Sequence, residues 1–270
     1  MAPSLNKPRT TKAPDARLDR VWDPRDIPES VQFAAALDCD LYRRLTPAQR
    51  QLCDVRIRKF LAVTEILGVL NHVVTVREAV RVAFSSAILY AGRPEWDFPP
   101  KVGVRVSPVG FDRRRVPCPQ GTLGGFVMAR TSELWLSTRD AAYSFERPDG
   151  YHLPIHEFAH VLDYGVLGAG KKFDGIPERI GVEGRRAWVE ALARARKRAG
   201  TPPERPFLRA YAATETCETF ACSMESFFER PREFRAWDAT LYRLIADLLQ
   251  QDPAAVRGPT SPSSPPAASS

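Results

Sequence analysis

The chain has 270 residues, 44% of them hydrophobic, and a formal net charge of +7 at pH 7. This composition supports one domain with a sizeable core and excludes a chain that is disordered throughout. The longest apolar run, residues 60–76, is interrupted by polar side chains and is shorter than the ~20 residues of a spanning helix, so we predict no membrane segment. The basic clusters are short and mixed with acidic residues, which argues against nucleic-acid binding.

The ends of the chain and its cysteines indicate the compartment and the domain limits. Five cysteines, an odd number without a CxxC pair, favour reduced thiols over a disulfide framework. The N-terminal segment lacks the apolar stretch of a secretion signal, so we expect a cytoplasmic protein. Residues 1–28 and 253–270 are polar and Pro-rich, and we expect flexible tails there around a single domain at 29–252.

The central segment combines helical and extended patterns. Thr46 with Pro47 marks the start of one helix, and Thr75 with Glu78 forms a capping box at the start of the next. The predicted elements in chain order are helices at 46–67 and 75–92, strands at 101–109 and 124–138, and helices at 183–200 and 214–231. The pattern predicts an α+β domain that is mostly helical, with a small sheet.

Residues 151–165 contain three of the four histidines of the chain, and His156, Glu157 and His160 form an HExxH motif. On a helix, positions i and i+4 share one face, so two imidazoles there can bind one zinc ion at about 2.0–2.1 Å. Glu157 lies about 100° further round the axis, where its carboxylate can act as general base toward a zinc-bound water. The motif is short, so this hypothesis needs a helical context and a third ligand.

Two neighbours of the motif have less definite roles. Pro154 fits the first turn of the helix, which places His152 before the helix and off the ligand face. We therefore interpret His152 as a loop residue near the site that faces the substrate. Asp163 lies three residues after His160, where it either accepts the second N–H of a ligand histidine or simply ends the helix.

A third ligand is expected from a later helix within residues 211–231. The candidates share one polar stripe at spacings of three and four residues: Glu215, Glu218, Cys222 and Glu225. Such a stripe is also typical of a helix face in water. Spacing alone does not choose among the four.

Two segments, HEFAHVLD at 156–163 and YAATETCETFACSMESFFERP at 211–231, resemble the C-terminal half of the MtfA-like zinc peptidases, the Mlc titration factor A family. The resemblance extends over about residues 45–252 and is most specific at these two segments. It implies a zincin-type metallopeptidase domain whose small sheet lies beside the HExxH helix.

The resemblance also implies a role for each matching residue. It makes three residues the ligands of one zinc ion per chain: His156, His160 and Glu218. Glu157 becomes the general base, and Tyr211 becomes a hydrogen-bond donor to the oxyanion of the tetrahedral intermediate. Glu225 matches a position that supports the ligands.

The chain departs from the family pattern at several positions near the proposed site. Glu215, Thr216 and Cys217 stand where the family usually has Asn, a Pro-like residue and Ala. His152 stands where the family often has Asn, and Cys222 where many glutamate zincins have Asp. These departures bear on substrate preference more than on the metal site.

The resemblance implies a zinc-dependent peptidase that acts on a peptide or protein substrate, as an endopeptidase or an aminopeptidase. We expect the strand at 126–137 to pair with extended substrate. The alternative is a regulatory binding protein that sequesters a transcriptional repressor, with peptidase activity secondary.

Overall fold

The computed structural model of the chain describes residues 20–21, 33, 37–164, 174–177, 180–199 and 207–255. Most of the two expected tails lies outside these residues. Within them helices predominate, and five strands form one mixed sheet. The predicted α+β class, mostly helical with a small sheet, is confirmed. None of the described helices is long and apolar enough to cross a lipid bilayer.

The strands are β1 (Arg20–Val21), β2 (Ile66–Gly68), β3 (Gly103–Ser107), β4 (Gly125–Met128) and β5 (Glu133–Ser137). The α-helices are α1 (Asp40–Arg43), α2 (Pro47–Val63), α3 (Val76–Ala87), α4 (Thr138–Glu146), α5 (Leu153–Tyr164), α6 (Val182–Ala199), α7 (Thr216–Glu229), α8 (Pro231–Trp237) and α9 (Ala239–Leu249). Short 3₁₀ helices cover Ile88–Tyr90 and Ala210–Ala213.

The strand order in the sheet is β1-β2-β3-β5-β4. β3 runs parallel to β2 and β5, while β1 and β4 run antiparallel to their neighbours. The predicted strand region at 124–138 is therefore a hairpin of β4 and β5, followed directly by α4. Ser132 in its turn has a left-handed φ of 54°. β4 occupies an edge of the sheet among the described strands.

Helix α5, which carries the HExxH motif, lies in the interior of the domain. It packs against β4 and β5 on one side and against α3, α4 and α7 on the others. Ile155, Phe158 and Leu162 are buried, and the Phe158 ring meets the Phe60 ring of α2 edge-on at 5.9 Å. Aromatic pairs in this geometry add to the stabilisation from apolar burial. These contacts hold the motif in place on a buried helix.

The predicted helix at 46–67 ends earlier than expected. α2 stops at Val63, because Thr64 adopts an extended backbone with φ −94° and ψ 126°. Ile66 and Leu67 are buried in β2 instead of continuing the helix. Hydrophobic periodicity does not distinguish a three-residue buried strand from the last turn of a helix.

Residues on both sides of the expected domain at 29–252 contact it. β1 pairs with β2 in the register Arg20 to Gly68. At the other end, Ala254 is buried and its backbone N–H donates to Tyr242 Oη at 2.9 Å. Polar, Pro-rich composition predicts weak ordering on average, but it does not reveal individual backbone contacts with the core.

The capping box at the start of α3 offers a test of local stability. Thr75 Oγ1 accepts the Glu78 N–H at 3.2 Å, and the Glu78 carboxylate accepts the Thr75 N–H at 2.8 Å. We expect Thr75→Ala to lower the free energy of unfolding by about 1 kcal/mol in urea denaturation, because the Glu78 N–H at the start of the helix loses its side-chain acceptor. Thr75→Ser retains the hydroxyl and should remain close to wild type. Equal stability of the Ala and Ser variants would contradict this account.

Candidate metal centre

Helices α5 and α7 bring two histidines and one glutamate together. His156 Nε2 lies 3.0 Å and His160 Nε2 lies 3.5 Å from Glu218 Oε2. The three donor atoms all lie within 4.8 Å of one another. The two histidines are one turn apart on the same face of α5, as the HExxH spacing predicts. Of the four carboxylates and thiols on the polar stripe, Glu218 is the one that meets both imidazoles.

This donor set fits a divalent transition metal. Two imidazole nitrogens and one carboxylate oxygen are a ligand set of catalytic zinc sites, which keep a fourth position open. Burial raises the pKa of Glu218, but hydrogen bonds from His156 and His160 outweigh burial and hold that pKa well below its usual range. Glu218 is thus an ionised carboxylate facing two imidazoles, and a cation bound among them would balance its charge.

A second carboxylate orients His156 from behind. Glu225, fully buried on α7, places Oε1 2.6 Å from His156 Nδ1. Its Oε2 accepts the backbone N–H of His152 at 2.7 Å. Burial raises the pKa of Glu225, but His156 and Arg209 outweigh burial and lower it to about 2. A carboxylate that binds Nδ1–H leaves the Nε2 lone pair available for a metal.

Arg209 completes this arrangement, although the sequence patterns did not single it out. Its Nη2 lies 2.5 Å from Glu225 Oε1. Its guanidinium also lies over the rings of Tyr151 at 4.7 Å and Tyr211 at 5.2 Å. A buried carboxylate needs a cationic partner, and the aromatic faces add cation–π attraction. From the sequence, a buried Glu225 would predict a cationic partner. It would not indicate which arginine is that partner.

Cys222 lies on the far side of His156 from the three-ligand cluster. Its sulfur, His156 Nδ1 and a Glu225 oxygen lie within 4.8 Å of one another, so they form a second candidate group. The Arg209 guanidinium already occupies this place, with Nη2 3.0 Å from His156 Nδ1. Burial raises the pKa of the Cys222 thiol, which favours its neutral form. A cation there would be repelled by the guanidinium, so we assign Cys222 to packing.

Glu157 is buried between α5 and the edge strand β4. A Cβ added at Gly125 would lie 3.1 Å from Glu157 Oε1 and 2.7 Å from the Trp135 carbonyl oxygen. The backbone of β4 therefore approaches the carboxylate as closely as only a glycine permits. Burial raises the pKa of Glu157, while His156 and His160 oppose the rise. These conditions suit a carboxylate that accepts and returns a proton.

A pocket of about 560 Å³ opens in front of these residues. Its wall includes the three ligand candidates, Glu157, Tyr211 and residues of β4. Tyr211 is 44% exposed, and its ring centroid lies 6.0 Å from that of His156. Burial, followed by the nearby Glu218, raises the pKa of Tyr211, so its hydroxyl remains protonated and able to donate a hydrogen bond. The pocket thus presents metal-ligand candidates, a base candidate and a donor together.

The profile of the glucose-regulated metallo-peptidase M90 family matches residues 14–250 of this chain. The chain belongs to this family. Membership implies a metal and a metallopeptidase-type function, and it agrees with the ligand set described above.

Similar proteins agree with the expected resemblance to the MtfA-like family. The chain is 27% identical over 233 residues to an uncharacterized protein of Synechocystis sp., a match that covers 82% of this chain and 83% of that protein. It is 35% identical over 124 residues to Mlc titration factor A of Edwardsiella ictaluri and 32% identical over 124 residues to that of Salmonella typhi. Each of the latter matches covers 44% of both chains. The predicted MtfA-like family assignment is confirmed.

In this M90 chain, His152 does not face the pocket, contrary to our interpretation from the sequence. The residue is fully buried, and its ring meets that of Phe145 at 4.7 Å. Its carbonyl accepts the His156 N–H at 2.9 Å and its Nδ1 accepts the Ile155 N–H at 3.3 Å, so His152 caps α5. The cap turns the imidazole into the domain, away from the face that carries the metal-ligand candidates.

Asp163 contacts the segment that follows α5. Its Oδ2 accepts the Gly175 N–H at 2.9 Å, while its Oδ1 has no hydrogen-bond partner among the described residues. Burial raises the pKa of Asp163 to about 6. Of the two roles left open, the observed contacts favour one at the end of the helix over a hydrogen bond to a ligand histidine.

The role of Glu225 leads to a metal-binding prediction. We expect Glu225→Gln to weaken metal binding about 10- to 100-fold, measured by competition with a chromophoric chelator, because His156 loses the carboxylate that orients it. Glu229→Gln is the matched control one turn later on α7. Glu229 is also buried, but it accepts the Gly150 N–H at 2.7 Å and contacts no ligand candidate. A similar loss in both variants would mean that Glu225 has no specific effect on the metal.

Proposed function

We propose that this chain is a zinc-dependent peptidase that hydrolyses peptide bonds. The observation that carries the proposal is the convergence of His156, His160 and Glu218 beside the buried Glu157 in one pocket. These three residues would hold one zinc ion per chain. When bound there, zinc supplies a Lewis acid that polarises a carbonyl and makes a water more acidic. Membership of the M90 family supports the same class of reaction.

Glu157 is the proposed general base. Its carboxylate takes a proton from the attacking water and returns it to the nitrogen of the leaving amine. Its burial against β4 keeps bulk water away from that proton, and the adjacent Gly125 leaves room for the carboxylate. The proton is therefore held at one defined position during the reaction.

Tyr211 is the proposed donor to the oxyanion. Its hydroxyl is protonated, and its ring lies at the pocket wall beside His156. A donor placed where negative charge develops lowers the barrier more than it strengthens substrate binding. Arg209, which lies over the Tyr211 ring, would help to position it.

The edge strand β4 is the proposed site for an extended substrate. Of the stretch 126–137, β5 is hydrogen-bonded on both sides, to β3 and to β4. Of the two strands, β4 is the one with a free edge among the described strands, and its residues Phe126 and Val127 line the pocket. Extended peptides bind such edges through main-chain hydrogen bonds. We also propose a cytoplasmic location, which the free state of all five cysteines supports.

We expect Glu157→Gln to bind zinc as wild type does but to lower peptide hydrolysis by about 10²- to 10⁴-fold, because the amide cannot accept the proton. The measurement is cleavage of a diverse peptide library read by mass spectrometry, with zinc content determined in parallel. The cleaved bonds would also distinguish endopeptidase from aminopeptidase action. Turnover by the variant at the wild-type rate would exclude Glu157 as the base.

We expect Tyr211→Phe to lower kcat by about 10²- to 10³-fold with a small change in KM, since the lost hydrogen bond acts on the transition state. Tyr42→Phe is the control. Its hydroxyl donates to Asp54 at 2.7 Å and neither residue lines the pocket, so kcat should not change. A rise in KM with kcat unchanged in Tyr211→Phe would instead assign Tyr211 to substrate binding.

A second candidate function is regulatory binding of a transcriptional repressor. Two relatives carry the name Mlc titration factor A, which supports a protein partner of that kind. Pull-down of candidate repressors with wild type, Glu157→Gln and metal-free protein separates the two functions. Binding that survives in both altered forms, together with no cleavage by wild type, would favour regulation over catalysis.

A further inference from the structure

A second cavity of about 380 Å³ lies behind α5, on the side away from the metal-ligand candidates. Its wall is formed by α1, α3, α4, the N-cap of α5 and the C-terminal end of α7. Four arginines line it: Arg43, Arg44, Arg77 and Arg81. None of the proposed zinc ligands, nor Glu157 or Tyr211, contributes to its wall.

Three of these arginines form no ion pair with a carboxylate among the residues that the structure describes. Arg43 forms ion pairs with Asp38 at 3.1 Å and Asp40 at 2.7 Å, which occupies the two aspartates of the wall. No ion pair within the described part of the chain involves Arg44, Arg77 or Arg81. Arg44 and Arg81 are half-buried. A guanidinium remains charged at all ordinary pH values, and burying it without a counter-ion is costly.

The same wall contains buried N–H donors without acceptors. Arg44 Nε, Arg81 Nε and His152 Nε2 have no hydrogen-bond partner among the described residues. His152 is fully buried, and its Nδ1 already accepts the Ile155 N–H, so Nε2 carries the proton of the neutral ring. Buried donors normally have acceptors, so three unpaired donors on residues that line one cavity favour an anionic ligand there.

The remaining carboxylates do not prevent anion binding. Glu146 is exposed, whereas Glu229 is buried in the cavity wall and accepts the Gly150 N–H. Burial raises the pKa of Glu229 to about 8, so near neutral pH this group can hold a proton and donate a hydrogen bond. The buried part of the wall then presents donors and positive charge.

We propose that this cavity is a binding site for a small oxyanion, a free phosphate or a small carboxylate. Arginine forks bind such groups through paired, charge-assisted hydrogen bonds. The site lies next to the metal centre, because the backbone N–H of His152 donates to Glu225, which contacts His156. An oxyanion there would satisfy the donors of the cavity without entering the catalytic pocket.

The test is calorimetric titration of the zinc-loaded, full-length protein with inorganic phosphate at constant ionic strength. We expect saturable binding of one phosphate per chain, weakened about tenfold or more in Arg81→Gln and in Arg77→Gln. Arg77 is exposed, so its replacement tests the site without disturbing the core. Arg186→Gln, on an exposed part of α6, is the control and should bind as wild type does.

Binding of phosphate to a metal ion is the competing explanation, and Glu218→Gln separates the two. This variant loses a proposed zinc ligand but should retain phosphate binding at the cavity. Titration with acetate identifies the source. If acetate competes with phosphate, the ligand is assigned as a carboxylate. If acetate does not compete, the ligand is assigned as phosphate. No saturable binding, or binding lost in Glu218→Gln and kept in both cavity variants, would overturn the proposal.

Discussion

The candidate site depends on one buried carboxylate held between a histidine and an arginine. Glu225 Oε1 lies 2.6 Å from His156 Nδ1 and 2.5 Å from Arg209 Nη2. The contact links α5, α7 and the segment before the second 3₁₀ helix, so it fixes the rotation of the His156 ring relative to Glu218. Without it, the imidazole would be free to turn, and its Nε2 would no longer meet His160 and Glu218. The positive charge of Arg209 offsets the free-energy cost of burying this carboxylate in an apolar interior.

The packing of the two helices determines what the site can do. Apolar residues of α5 face the core, so its opposite face presents His156 and His160 to α7. The same helix brings Glu157 against Gly125, and the edge of the sheet thereby forms one wall of the pocket. An interior helix, an adjacent helix and an edge strand together place ligand candidates, a base candidate and the proposed peptide-binding edge within one space. Catalysis by this arrangement requires the groups to be held in position before substrate arrives.

The sequence predicted the local features of the site but not its long-range contacts. HExxH spacing places two histidines on one helix face, and the capping box of Thr75 and Glu78 appears as predicted. The choice of Glu218 over Glu215 required a resemblance, because the meeting of α7 with α5 is a tertiary contact. Arg209 lies outside both motifs, and nothing in its surroundings in the chain indicates that it meets Glu225. Our interpretation of His152 was wrong. Pro154 indicates where the helix starts, but it does not show whether the capping residue His152 points into the domain or out of it.

The central claim is that His156, His160 and Glu218 bind the single zinc ion of this chain. The most direct measurement is zinc stoichiometry after dialysis against a weak chelator, for wild type, Glu218→Gln and Glu215→Gln. Glu215 lies three residues away at the start of the same helix, and its side chain is exposed. We predict one zinc per chain in wild type and Glu215→Gln, and a zinc content near zero in Glu218→Gln. Full occupancy in Glu218→Gln, or an empty wild-type protein, would contradict the account.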